Sequence, residues 1–248
     1  YLKGSLVFIF FNFIGQIPLS LYIISQSDLV GEFTSHQDLF SKLPSNPTLF
    51  LILLPFAVVL PFIYLVVTRL HQRSFLSLIT SRDRVDYKKI LFSFFLWGTL
   101  SALMVIYDYM MSPDDYIWNF KPLPFLILLL ISIVMIPLQT SVEELVFRGY
   151  LMQGLKMKMG SSKHAVILSG IMFGLMHVGN PEIEAIGSHV LIYYVVSGVF
   201  LGALALYDNG LELSIGYHAA NNIFAALMVS NDWQVFQTNA LYVDTSPP

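Results

Sequence analysis

TSVEELVFRGYLMQG, residues 140–154, decides how this chain is read. It follows FLILLLISIVMIP, residues 125–137, a run suited to lipid or a deep core. Two adjacent carboxylates and an arginine thus stand at the end of a segment with no charge of its own. Ionisable groups at membrane depth are costly and usually face a protein interior or a wet cavity. Glu144 and Arg148 are four apart, on one helical face, where they can pair. Glu143 is turned about 100° from them and is freer to meet water. A carboxylate beside a second carboxylate is a natural candidate for a general base.

Outward from this stretch the composition sets the class. Of 248 residues, 56% are hydrophobic and only 12% are Asp, Glu, Lys or Arg. Several windows approach the length of about eighteen apolar residues that crosses about 30 Å of hydrocarbon. The apolar runs are continuous rather than alternating, which argues for helices over outer-membrane strands. The expected fold is all-α: a polytopic transmembrane helical bundle of about seven or eight membrane helices. One integral membrane domain is expected over residues 1–248. Expected spans are 5–24, 49–68, 90–107, 124–139, 165–178, 189–207 and 213–229, with a mixed helix at 142–159 joining the fourth to the fifth. Pro55 and Pro61 are expected to bend the second span, and Pro137 to break the fourth. The first span reads as a retained helix rather than a cleaved signal, because its apolar part is long and no small-residue cleavage site stands out.

Charge sets the expected orientation. Lys3 precedes the first span, residues 69–89 carry Arg69, Arg73, Arg82, Arg84, Lys88 and Lys89, and the turn after the mixed helix carries Lys156, Lys158 and Lys163. The alternate loops hold Lys42, Lys121 and, at 179–188, no basic residue. This places the N-terminus in the cytoplasm and the tail LYVDTSPP outside. The absence of cysteine excludes disulfides, thiolate metal ligands and a cysteine nucleophile. The formal charge of -3 says little about nucleic acid, but no basic stripe or aromatic ladder suggests it, and no nucleic-acid partner is expected.

Two further polar patches break the apolar background: His177 in FGLMH, and His218 with Asn222 in HAANN. His218 and Asn222, four apart, are able to donate together to an oxyanion. His177 can share a proton with Glu143 or orient a water. Counted from the turn near Gly160, Glu143 and His177 lie equally deep, about 25 Å along ideal helices. His218 lies only about 12 Å from its own inner turn. The groups meet only if the mixed helix protrudes or tilts, and a cavity open towards the cytoplasm is expected. The spacing of Gly198 and Gly202 suits close helix packing. His189, Asp208 and Glu212, near span ends, read as interfacial solvation, and Ser214, four before His218, as a packing residue.

EELVFR (143–148) fits an EExxxR motif, FGLMH (173–177) an FxxxH motif and HAANN (218–222) an HxxxN/D motif. The ordered trio within apolar segments resembles the CPBP intramembrane proteases, the family of Rce1-type CAAX prenyl endopeptidases and bacterial Abi proteins. The motif core is residues 140–230. The resemblance implies an endopeptidase acting on a membrane-associated peptide or protein, in the cell membrane of a bacterium. Under it Glu143 activates water, assisted by His177; Glu144 and Arg148 support the site; His218 and Asn222 hold the oxyanion. No cofactor is expected; the family has also been described as metal-dependent, which gives zinc at Glu143, His177 and His218 as the alternative. The HExxH zinc signature is absent. The resemblance also leaves open a non-catalytic role, as a scaffold or bacteriocin-immunity protein contacting a membrane partner.

Overall fold

The computed structural model describes residues 1–32 and 35–247. Helix α1 (Leu2–Ser25) is followed by two short helices, α2 (Ser27–Val30) and α3 (His36–Lys42), in the loop to α4 (Ser45–Leu65). Phe33 and Thr34 of that loop lie outside the described residues. A π-helical turn, Val66–Leu70, extends α4; α5 (Leu76–Ile79) and α6 (Tyr87–Met111) follow. Strand β1 (Tyr116–Trp118) precedes α7 (Pro122–Glu144). A second π-helical turn, Leu145–Leu151, joins α7 to α8 (Met152–Met159). Then come α9 (Ser162–Leu175), α10 (Pro181–Ile186), α11 (Val190–Asp208), α12 (Glu212–Met228), β2 (Val229–Ser230) and β3 (Tyr242–Asp244).

Among the described residues five helices are long and apolar enough to cross a membrane: Leu2–Ser25, Ser45–Leu70, Tyr87–Met111, Pro122–Met159 and Val190–Asp208. The protein is an integral membrane protein of several apolar helices. The count is below the seven or eight expected. α9, at 14 residues, is a shorter apolar helix. α12 has 17 residues and carries Glu212, His218, Asn221 and Asn222. The expected fourth span and mixed helix are one unbroken 38-residue helix, Pro122–Met159. Pro137 therefore does not break it. Ending a helix in hydrocarbon would leave several backbone groups unpaired, more than the one bond that proline removes.

Helices α4, α7 and α12 pack side by side, with α1 outside α4 and α6 outside α12. Leu49, Leu53, Leu128, Met135, Ile136, Ile223 and Ala226 form the core between the first three. The outward faces of α1 and α6 leave Leu6, Phe10, Phe13, Phe92, Phe95 and Leu96 exposed, as a lipid-facing surface requires. α9 and α11 form a second close pair, which meets the first group through the turn at Leu145–Leu151 and through α11 against α12. Gly198 sits against the backbone of Gly170, so closely that an added Cβ would come within 2.7 Å of the Gly170 carbonyl oxygen. The Gly198 spacing is thus a packing device, as read from the sequence.

The fold is not wholly helical. A three-stranded sheet of order β1-β3-β2 pairs β1 with β3 antiparallel and β2 with β3 parallel, and Trp118 opposes Tyr242. The terminal segment thus folds back as strand β3 instead of trailing free. Tyr109, Tyr116, Trp118 and Tyr242 cluster around this sheet, the composition of a membrane–water boundary. Burial, and the hydrogen bond Tyr116 donates to Asp108, push the Tyr116 phenol well above its usual range.

At the other end of the bundle, Asp208 and Glu212 are buried rather than solvated. Arg82 donates to Asp208 Oδ1 at 2.8 Å and to Glu212 Oε2 at 3.2 Å, and Lys89 also pairs with Asp208. The Asp86 N–H donates to Glu212 Oε1 at 3.2 Å. This clasp ties the basic loop to the α11–α12 turn, where Thr80 bridges Gly210. Glu212→Ala is expected to cost about 2 kcal/mol, because the loop loses two charge-assisted hydrogen bonds while half-exposed Arg82 regains water. Unfolding in detergent checks this; a shift no larger than that of Glu184→Ala, at an exposed position, would rule the clasp out as a stabilising feature.

Candidate active site

The site begins where α7 gives way to the turn Leu145–Leu151. Wide turns of this kind are rare and cluster at functional places. Glu144, the last residue of α7, is fully buried, and Arg148 is 1% exposed. Arg148 Nη1 donates to Glu144 Oε1 at 2.9 Å and Nη2 to the Gly198 carbonyl at 3.1 Å. The guanidinium also lies over the Phe173 ring, 4.3 Å from its centroid. The arginine is therefore matched on three sides: by charge, by a carbonyl and by a π face.

His218 joins the two carboxylates. Its Nδ1 is 2.8 Å from Glu144 Oε1, and its Nε2 is 3.5 Å from Glu143 Oε2. A carboxylate only accepts, so Nδ1 carries the hydrogen. Glu143 is held on its other oxygen: Gln139 Nε2 donates to Glu143 Oε1 at 2.7 Å. Gln139 Oε1 in turn accepts from Asn222 Nδ2 at 3.1 Å, Asn222 Oδ1 from Asn221 Nδ2 at 3.2 Å, and Asn221 Oδ1 from Trp97 Nε1 at 3.2 Å. Each amide in this chain accepts through oxygen and donates through nitrogen. Glu143 Oε2 is left with no hydrogen-bond partner.

The depth conflict read from the sequence resolves through protrusion. Gly149 lies against Leu78 and Leu211. Measured from that contact, Glu143 and His218 stand about 9 and about 10 Å along antiparallel helices. The 38-residue helix is about 57 Å long, so α8 and the Gly160 turn extend past the α11–α12 turn. His177 follows the end of α9. Its ring stacks on Tyr194, with centroids 4.1 Å apart, and its Nδ1 is 2.8 Å from the Phe173 carbonyl. Nδ1 therefore donates, and Nε2 presents its lone pair.

All six residues singled out from the sequence thus fall in one region, in two layers. Glu143, His177, His218 and Asn222 line a shared cavity of about 440 Å³, together with Gln139 and Asn221. Glu144 and Arg148 lie behind it. The imidazole nearest Glu143 is His218, not His177. The cavity walls include α10, the start of α11, the first half of α4 and residues 233–236. The cavity thus runs from Glu143 and His218, near the contact of Gly149 with Leu78 and Leu211, towards α10 and residues 233–236. Among the described residues, no three His, Cys, Asp or Glu side chains are grouped to hold a metal ion. His218 and His177 each commit Nδ1, to Glu144 and to the Phe173 carbonyl, which leaves Nε2 as the free ring nitrogen on both. Sequence reasoning missed Gln139, Asn221 and Trp97. The available signal was the four-residue step from Gln139 to Glu143, the same step that picked out the other pairs.

With this geometry in place, part of the chain is found to be similar to known proteins. Residues 122–224 match the family described as type II CAAX prenyl endopeptidase Rce1-like. That stretch contains all six residues above. The chain is also similar to the uncharacterized protein YyaK of Bacillus subtilis, with 29% identity over 178 residues. The match covers 71% of this chain and 60% of that protein, so the chain spans less than two thirds of the curated relative's length. No solved structure matches the chain.

Proposed function

We propose that the protein is an intramembrane endopeptidase that hydrolyses a membrane-associated or hydrophobic peptide by glutamate-activated water. The observation that supports this best is the unpartnered Glu143 Oε2 at a cavity also lined by His177, His218 and Asn222. Water between Glu143 and the His177 lone pair gives up a proton to the carboxylate as it attacks the peptide carbonyl. The oxyanion is met by the second Asn222 Nδ2–H and, in the protonated ring, by His218 Nε2–H. Arg148 and His218 together hold Glu144, which keeps the His218 ring in place. The C–N bond then breaks, and protonated Glu143 returns its proton to the leaving amine. Gln139 is a positioning residue here, fixing Glu143 from the side away from the water.

The whole of residues 1–248 acts in this reading as a single membrane domain, with α9 and α12 as short additional membrane helices. The N-terminus is cytoplasmic and the C-terminal strand external. The cell is bacterial. The test uses the purified protein in liposomes with hydrophobic decapeptides blocked at both ends. The expected result is two fragments by mass spectrometry, with one ¹⁸O from labelled water in the new carboxyl group. Intact peptides throughout would overturn the peptidase reading and leave the partner-binding scaffold.

A further inference from the structure

The same cavity holds a carboxylate that the mechanism does not use. Glu182, in the first turn of α10, is 8% exposed and lines the cavity. Its Oε1 accepts from the Val235 N–H at 2.9 Å, which fixes the side chain. Its Oε2 is closed off from solvent and has no hydrogen-bond partner. The neighbouring Trp233 Nε1, on another wall of the cavity, is likewise buried without a partner. A half-satisfied buried carboxylate is costly until a cation or donor reaches it. The charged and titratable groups lining the cavity are Glu143, Glu182, His177, His218 and the phenols of Tyr193, Tyr194 and Tyr217; no Lys or Arg is among its described lining residues.

We propose that Glu182 forms a subsite for a cationic group of the peptide substrate, an ammonium or guanidinium, and that Trp233 Nε1 donates to a substrate carbonyl beside it. The inference rests on reading the cavity as a peptidase site and adds a substrate class to it. Tyr193, Tyr194 and Phe236 supply aromatic walls for the apolar stem of a lysine or arginine. Two carboxylates and no fixed cation make the cavity a poor place for a peptide's free C-terminal carboxylate. The substrate class is therefore a hydrophobic peptide with a basic group near the scissile bond, rather than a short tail read by its carboxyl end.

The test compares hydrophobic decapeptides blocked at both ends, with a lysine placed at each position in turn and norleucine as the neutral counterpart. A further arm carries norleucine and a free N-terminus, which separates a lysine side chain from an α-ammonium. A ratio of kcat/KM for lysine over norleucine of about ten or more at one position is expected, the worth of one charge-assisted hydrogen bond. In Glu182→Gln, which keeps an acceptor for the Val235 N–H, the ratio should fall close to one. Equal ratios in wild type and Glu182→Gln would overturn the subsite while leaving the peptidase intact. Calorimetric binding of the same peptides to the wild-type protein and to Glu182→Gln decides the matter if nothing is cleaved: tighter lysine binding lost in the variant supports the subsite alone. If Glu182→Gln does not fold, a lysine-to-norleucine ratio of one in the wild type overturns it.

Discussion

Glu143→Gln lowers peptide hydrolysis by roughly 100- to 10,000-fold, the usual contribution of a positioned general base, while the melting temperature in detergent stays within that of Glu184→Gln. Glutamine keeps an oxygen to accept from Gln139, as Glu143 Oε1 does at 2.7 Å. It puts an amide nitrogen where Oε2 stood, and an amide takes no proton from water. The loss should fall on kcat and kcat/KM together, because the interaction removed is one made in the transition state. Gln139→Leu gives a smaller fall, with the base present but loosely held. Unchanged turnover in Glu143→Gln would remove this residue from the chemistry.

Glu144→Ala is expected to destabilise the protein by about 3–5 kcal/mol, the largest structural effect of any single change considered. Arg148, 1% exposed, would keep the Gly198 carbonyl and the Phe173 ring but lose its counter-charge. His218 would lose its Nδ1 acceptor at the same time. Equilibrium unfolding in detergent is the measurement, with Glu184→Ala as the exposed control. The double variant Glu144→Ala, Arg148→Met should recover part of the loss, since no uncompensated charge then remains buried. A Glu144→Ala protein as stable as its control would mean that the pair contributes nothing to folding.

The legible part of this site was what local spacing encodes. The steps from Glu144 to Arg148 and from His218 to Asn222 each place two side chains on one face, and both pairs stand together in the structure. What lay beyond spacing was the third dimension. Asp208 and Glu212 looked like solvated helix ends because their partner, Arg82, is far off in sequence and reaches them only through the fold. Pro137 looked like a break because local chemistry outweighed the membrane's demand that backbone groups stay paired. The three strands are two or three residues long, too short for any alternation to register. Gln139 escaped notice because a lone amide at the end of an apolar run reads as an interfacial residue.

The wide turn at Leu145–Leu151 has a consequence for how the molecule tolerates change. Upstream of it the long helix serves α4 and α12; downstream it serves α9. One continuous rod thus answers to two sets of neighbours whose angular demands differ, and the loosened coil between them is a gear that reconciles the two phases. Deleting a single residue within it would rotate one half by about 100° against the other, so either the glutamates would leave His218 or α8 would leave α9. Length in this one segment is consequently under tighter geometric control than identity at most of its positions.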